Sequence, residues 1–155
     1  MKDQILKAFT MITVIAVLGL VTTVVSANGQ SQSLLKADIP FAFTVGDKTL
    51  EPGEYTVESI FAGGQGLRIR SRVPNASMMR LTNSIETSKT PEYGKLVFRR
   101  YGEHYFLAEV WRPGDRLGLE LVKSKRERAI ERERGQLAQS TFERVELVEL
   151  VAKLR

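Results

Sequence analysis

Apolar and polar residues alternate along several short stretches of this chain, with the period of two that is typical of a half-buried β-strand. One stretch places four apolar residues on a single face: Ile39, Phe41, Phe43 and Val45. Turn-forming pairs such as Gly46-Asp47 and Pro52-Gly53 separate the stretches. The pattern predicts an all-β, mainly antiparallel domain, either a β-sandwich or a small barrel of about seven to nine strands.

Residues 94–111 show the strongest of these patterns, that of a long β-hairpin. Gly102-Glu103 separates two runs rich in β-branched and aromatic residues, and glycine at the first loop position supplies the positive φ of a type II′ turn. The two-residue loop predicts these opposed pairs: Tyr101 and His104, Arg99 and Phe106, Phe98 and Leu107, Val97 and Ala108, Leu96 and Glu109. Because both faces carry large apolar groups, we expect the hairpin to lie inside a larger sheet as its central pair.

The C-terminal part contains the predicted short surface helix. Ser124, with Glu127 three residues later, has the form of a capping box, and good helix formers follow. We predict a helix over about 124–134, ended by Gly135. Residues 141–154 fit both a strand and a helical stripe, but the many valines, and the need to cover a sheet edge, favour a closing strand.

The first residues have the pattern of an export signal. Lys2 and Lys7 form a positive n-region, an apolar run covers residues 8–25, and Val25-Ser26-Ala27 fits a cleavage site. The predicted organisation is a signal peptide over 1–27, a flexible leader over 28–36 and a single β-rich domain over 37–155. We therefore expect a periplasmic or secreted protein without a membrane span after cleavage. The alternative is an uncleaved membrane anchor, because about 18 apolar residues can span a bilayer.

Composition limits the classes of partner. The chain has no cysteine, so an exported form must be stable without disulfides. Loss of residues 1–27 removes two of the 23 basic and one of the 18 acidic residues, which leaves 21 against 17 and a net charge of +4. This surplus allows contact with acidic polymers, but it is too small to indicate nucleic acid, which we do not expect as a partner.

Few residues suggest catalysis. The single histidine, His104, follows the hairpin turn without a nucleophile or carboxylate signature, and no ligand spacing typical of a metal site occurs. We therefore predict no catalytic residue, no cofactor and no metal. The competing hypothesis is a carboxylate hydrolase acting on a cell-envelope or extracellular glycan, with Glu109 near Glu58 or Glu120. The expected partners of Glu109 in the simpler interpretation are arginines: Arg99, Arg100 or Arg112.

Basic residues give the better signal. Arg68, Arg70 and Arg72 recur at a period of two, so they project from one strand face without evident acidic partners, while Leu67 faces inward. Trp111, beside the Pro113-Gly114 turn, is expected at a rim. These four residues, Arg68, Arg70, Arg72 and Trp111, are the predicted ligand contacts. The main hypothesis is a non-enzymatic envelope or extracellular binding or structural module for an anionic polysaccharide or another envelope protein.

Several motifs occur together along the predicted domain: Asp38-Ile39-Pro40-Phe41-Ala42-Phe43, Gly46-Asp47-Lys48-Thr49-Leu50, Pro52-Gly53-Glu54-Tyr55-Thr56-Val57, Glu109-Val110-Trp111 and Lys123-Ser124-Lys125-Arg126-Glu127-Arg128. In this combination the chain resembles a family of small bacterial exported proteins with no assigned activity. The resemblance implies export and a single β-rich domain, and it identifies no site residue.

Overall fold

A computed structural model describes residues 34–60, 65–72, 77–137 and 145–154. The strands in these residues are β1 (Leu34–Ile39), β2 (Phe43–Val45), β3 (Lys48–Leu50), β4 (Gly53–Ser59), β5 (Gly66–Ser71), β6 (Ser77–Glu86), β7 (Gly94–Tyr101), β8 (His104–Trp111), β9 (Leu117–Leu121) and β10 (Glu146–Leu154). The helix α1 (Lys125–Leu137) lies between β9 and β10 in the chain. The predicted signal peptide, residues 28–33 of the predicted leader and residues 141–144 lie outside the described residues.

Eight of the described strands form a closed barrel, in the order β8, β7, β10, β1, β4, β5, β6, β9. The ring closes where Glu109 and Val110 of β8 pair with Glu120 and Leu119 of β9. Neighbouring strands in the ring are antiparallel, whereas β2 of the short β2–β3 hairpin pairs in parallel with β8. The prediction of a mainly antiparallel all-β fold is confirmed, and the architecture is the barrel.

Alternating apolar side chains fill the barrel. On β1, Leu35, Ala37 and Ile39 are buried, while the residues between them are exposed. The β2–β3 hairpin adds Phe43, whose ring packs edge to face on Phe98 at a centroid distance of 5.5 Å. A ring of eight strands encloses a space that side chains can fill, so the interior is a packed core.

The predicted hairpin forms as β7 and β8, with Gly102 at a φ of 63°. Three predicted pairs are confirmed: Tyr101 with His104, Arg99 with Phe106, and Phe98 with Leu107. The other two are wrong by one residue, because Val97 pairs with Glu109 and Leu96 with Val110. Ala108 is the extra residue of a β-bulge, and the apolar sequence on both sides of it gives no signal for this shift.

Three element boundaries refine the predictions. β1 begins at Leu34, so residues 34–36 of the predicted leader belong to a strand. The helix does not end at Gly135 but continues to Leu137, because glycine inside a helix costs only about 1 kcal/mol relative to alanine. β10 forms as the predicted closing strand and lies between β1 and β7.

Within the residues described, no helix is long and apolar enough to cross a bilayer.

Candidate binding face

The three predicted arginines share the outer side of β5 or its end, but the expectation that they lack acidic partners is wrong. Arg68 Nη1 lies 2.9 Å from Glu58 Oε1, and Arg70 Nη2 lies 3.6 Å from the same oxygen. Arg72 Nη1 lies 3.0 Å from Glu54 Oε2. The pairing of β4 with β5 places these glutamates opposite or near the arginines, so the predicted basic stripe is largely neutralised within the chain.

The sheet register assembles a second set of cations next to this stripe. Lys153 of β10 lies opposite Lys36 of β1, Lys36 lies opposite Thr56 of β4, and Thr56 lies opposite Arg70 of β5. We call Lys153, Lys36, Thr56 and Arg70 the cationic row. Because neighbouring strands are about 4.8 Å apart, the row extends for about 14 Å across the barrel surface. It contains three basic side chains and one hydroxyl group, with no carboxylate among its members.

The two lysines are the unusual members of the row. Directly opposed residues of an antiparallel pair have Cβ atoms about 5 Å apart, and like charges at that distance destabilise the pair. Lys36 and Lys153 are both exposed, and neither forms an ion pair with any other residue that the structure describes. Asp38 is two residues from Lys36 on the same side of β1, but it does not pair with either lysine.

A groove of about 800 Å³ lies over this part of the surface. Its charged lining consists of four basic residues, Lys36, Arg70, Arg72 and Lys153, and two acidic residues, Asp38 and Glu54. The formal charge of the lining is therefore +2. A groove of this size is typical of ligand sites, and its charge favours an anionic occupant.

Sequence reasoning missed Lys36 and Lys153. Lys36 falls within the predicted leader, and Lys153 occupies one of several alternating positions in the closing strand. Only the pairing of the first described strand with the last brings them together. The alternation of polar and apolar residues in each strand indicates that both lysines face outward. It does not indicate which strands are neighbours, so it could not bring the two lysines together.

Trp111, the fourth predicted contact, is not at a rim, because only 6% of it is exposed. Its indole Nε1 donates a hydrogen bond to Glu109 Oε2 at 2.8 Å, and its ring packs over Gly118, where a Cβ atom would lie 2.6 Å from the ring. Trp111 and Glu109 line a separate groove of about 630 Å³ beside residues 87–93.

Glu109 itself lies opposite Glu120. The arginines proposed as its partners pair with other acids: Arg99 with Glu120 and Glu127, Arg100 with Glu146, and Arg112 with Asp115.

Arg99 has an environment unlike that of the two lysines. Its Nε lies 2.8 Å from Glu127 Oε1, although the N–H is not aligned for a hydrogen bond, and its Nη1 lies 3.6 Å from Glu120 Oε1. Its Nη2 also donates to the carbonyl oxygen of Leu121 at 3.1 Å. The Arg99 guanidinium is thus neutralised by the fold itself and is a poor candidate for ligand binding.

Glu127 connects this cluster to α1. The carboxylate is almost fully buried and accepts a hydrogen bond from the Tyr101 hydroxyl at 3.3 Å. Burial, together with the negative charges of Glu127 and Glu131, raises the pKa of Tyr101 to about 12. The backbone N–H of Glu127 donates to Ser124 Oγ at 3.1 Å, which is the N-terminal half of the predicted capping box. These contacts hold α1 on the barrel.

Comparison with known proteins adds no relative from which a function could be transferred. No protein-family model matches the sequence, and searches of curated proteins and of solved structures give no significant match. The resemblance to small bacterial exported proteins therefore stays a prediction, and the functional argument depends on the geometry of this chain.

Proposed function

We propose that this protein is an exported, non-enzymatic binding module for an anionic polymer such as an acidic polysaccharide, and that the cationic row is its contact surface. The observation that carries the proposal is the direct opposition of Lys36 and Lys153 without an acidic partner in the described chain. An anionic group placed between the two ammonium groups would remove their repulsion. Thr56 and Arg70 extend the contact along the row and offer further hydrogen-bond donors.

The shape of the site supports a polymer. A row about 14 Å long on the side of a barrel contacts several successive groups of an extended chain, whereas a single small anion would occupy only part of it. The three arginines contribute less than the sequence pattern suggests, because Glu58 lies near Arg68 and Arg70 and Glu54 lies near Arg72, so the two lysines are the main cations of the row. The N-terminal pattern supports export to the periplasm or beyond, where such polymers occur.

Titration of the exported protein with polygalacturonate and with a neutral glucan, at two salt concentrations, tests the proposal. We expect the acidic polymer to bind and the neutral polymer not to bind. If about three cations release counterions, the affinity should fall by tens of fold between about 50 and 200 mM salt. Absence of binding to the acidic polymer at low salt would contradict the proposal.

Matched variants locate the contact. Lys36→Ala combined with Lys153→Ala should lower the affinity at least about tenfold, because two of the three cations of the row are lost. The control is Lys125→Ala combined with Arg128→Ala, which removes the same charge from exposed positions of α1. The control should bind almost as the parent does. Equal losses in both variants would mean that net charge, and not the row, determines binding.

Two other functions give different results in the same experiments. An envelope protein that binds the row when no polymer does would indicate a protein partner instead. The hydrolase hypothesis rests on the direct opposition of Glu109 and Glu120 across β8 and β9, because glycosidases use a pair of carboxyl groups. It predicts glycan cleavage that Glu109→Gln abolishes. The indole of Trp111 and the guanidinium of Arg99 already occupy these carboxylates, so we favour binding over hydrolysis.

A further inference from the structure

The cationic row crosses a short junction of the barrel. Among the residues that the structure describes, β1 and β10 are in register at two pairs, Leu35 with Leu154 and Lys36 with Lys153. By contrast, β1 pairs with β4 at six positions and β10 pairs with β7 at seven. We call the junction of β1 and β10 the seam. One of its two registered pairs is thus an opposed pair of like charges.

The barrel has a second junction of the same kind, which serves as an internal comparison. β8 and β9 are also in register at two pairs, and one of them opposes Glu109 to Glu120. There the fold supplies partners, because the Trp111 indole donates to Glu109 and the Arg99 guanidinium lies near Glu120. The described part of the chain supplies no such partner at the seam. The two lysines are therefore open to a negatively charged group from outside this part of the chain.

We infer that a polyvalent anion bound between Lys36 and Lys153 acts as a clamp that closes the seam of the barrel. Two ammonium groups need two negative charges for neutrality, so a phosphate-like group or neighbouring acid groups of one polymer fit better than a single carboxylate. This inference rests on the proposed function, and it adds that the ligand stabilises a defined strand pair. Ligand occupancy and barrel closure are then coupled, because an anion that binds the closed seam more tightly favours it.

The side chains behind the seam explain why its closure matters. Leu35 of β1 belongs to a registered pair of the seam, Ala152 of β10 directly precedes Lys153, and both side chains are almost fully buried in the core. Opening of the seam would expose these apolar groups to water, so the open state is a local opening and not a second stable fold. Backbone amides of β1 and of residues 150–154 should report it through hydrogen exchange.

Hydrogen exchange of the full exported protein with inorganic pyrophosphate, or with sodium acetate at equal ionic strength, tests the clamp. We expect pyrophosphate to slow exchange at residues 34–36 and 150–154 severalfold, while β5 and β6 are unchanged. Acetate should have little effect. Equal protection by both salts, or protection spread over the whole barrel, would overturn the inference.

Charge reversal replaces the ligand by a built-in partner. Lys153→Glu creates an ion pair with Lys36, so we expect the melting temperature to rise by a few degrees and no longer to respond to pyrophosphate. Lys36→Glu combined with Lys153→Glu restores an opposed like-charge pair and should abolish the gain. The control is Lys48→Glu, the same charge change at an exposed position of β3. A gain no larger than that of the control would contradict the clamp.

The two proposals fail separately. If the acidic polymer binds through Lys36 and Lys153 but leaves seam exchange unchanged, the clamp is wrong and the binding function stands. If pyrophosphate protects the seam and Lys153→Glu removes this effect, while no polymer binds, the clamp is supported and the polymer-binding function is wrong.

Discussion

The outer surface of the barrel has a covered half and a bare half. On the covered half, formed by β7, β8 and β9, outward-facing Val97 and Trp111 are almost fully buried although they do not belong to the barrel core. On the bare half, formed by β10, β1, β4 and β5, outward-facing Val151 is 69% exposed. The same alternation of residues therefore leads to burial on one side and exposure on the other.

Ion pairs occur on both halves, including those of the β5 arginines on the bare half, but one set of charges distinguishes the halves. In the covered half Arg99 lies between Glu127 and Glu120, so the chain neutralises its own charge. In the bare half Lys36 and Lys153 face each other without an acidic partner among the described residues. Charges that are satisfied internally hold the fold together, whereas charges left opposed are available to a ligand. This difference is the reason for placing function on the bare half.

Arg99→Ala should lower the stability more than any other variant considered for the two halves. If it does not, the internal ion pairs of the covered half do not stabilise the fold, and the contrast between the halves is wrong. It leaves the carboxylate of Glu127, which is only 3% exposed, without its cation, and loss of one partner of a buried ion pair costs about 3 kcal/mol. We expect the free energy of unfolding, measured by urea denaturation, to fall by about that amount.

Lys36→Ala is the matched variant on the bare half. Because Lys36 is exposed and opposed by Lys153, its removal should leave the stability unchanged or raise it by less than about 1 kcal/mol. A loss as large as that of Arg99→Ala would show that the lysine stabilises the fold, and the distinction between the two halves would be wrong.

A pair of valines sharpens the comparison for packing. Val97→Ala shortens by two carbon atoms a side chain that is 2% exposed. The lost apolar burial and the cavity left behind together should lower the free energy of unfolding by about 2 kcal/mol. Val151→Ala makes the same chemical change on β10 and should alter the stability by less than about 0.5 kcal/mol. Similar losses in both variants would mean that Val151 is covered in solution, for example by a partner.

The covered half explains which features could be predicted from sequence. The hairpin is apolar on both faces, so its burial on both sides follows from the residues themselves, as does the strand character of the closing segment. The docking of α1 does not. The few apolar residues of α1, such as Ile130, suggest that the helix contacts the barrel through one side chain. In the structure Ile130 is only partly buried, whereas the charged Glu127 is almost fully buried.

The bare half explains why the candidate site was only partly predicted. The outward direction of Arg68 and Arg70 follows from their spacing, but their neutralisation by Glu58 depends on which strand lies beside β5 and in which register. The opposed lysines depend on the pairing of two strands from opposite ends of the domain. Long-range pairing of this kind leaves no trace in local periodicity, so a single sequence indicates the basic residues but not their partners.

The last expected effect, absent at neutral pH, is a change in the pH dependence of stability on the covered half. The pKa of Tyr101 rises from 10.0 to about 12 in the folded protein, chiefly through burial and then through the charges of Glu127 and Glu131. Between these pH values the folded state keeps a proton that the unfolded state has lost, so stability falls as the pH rises from about 10 to about 12. Tyr101→Phe removes this contribution and should make the decline shallower in urea denaturation at each pH, whereas Tyr93→Phe, at a site 65% exposed, should keep the parent slope. An unchanged slope in Tyr101→Phe would show that the hydroxyl is not held in the buried cluster with Glu127.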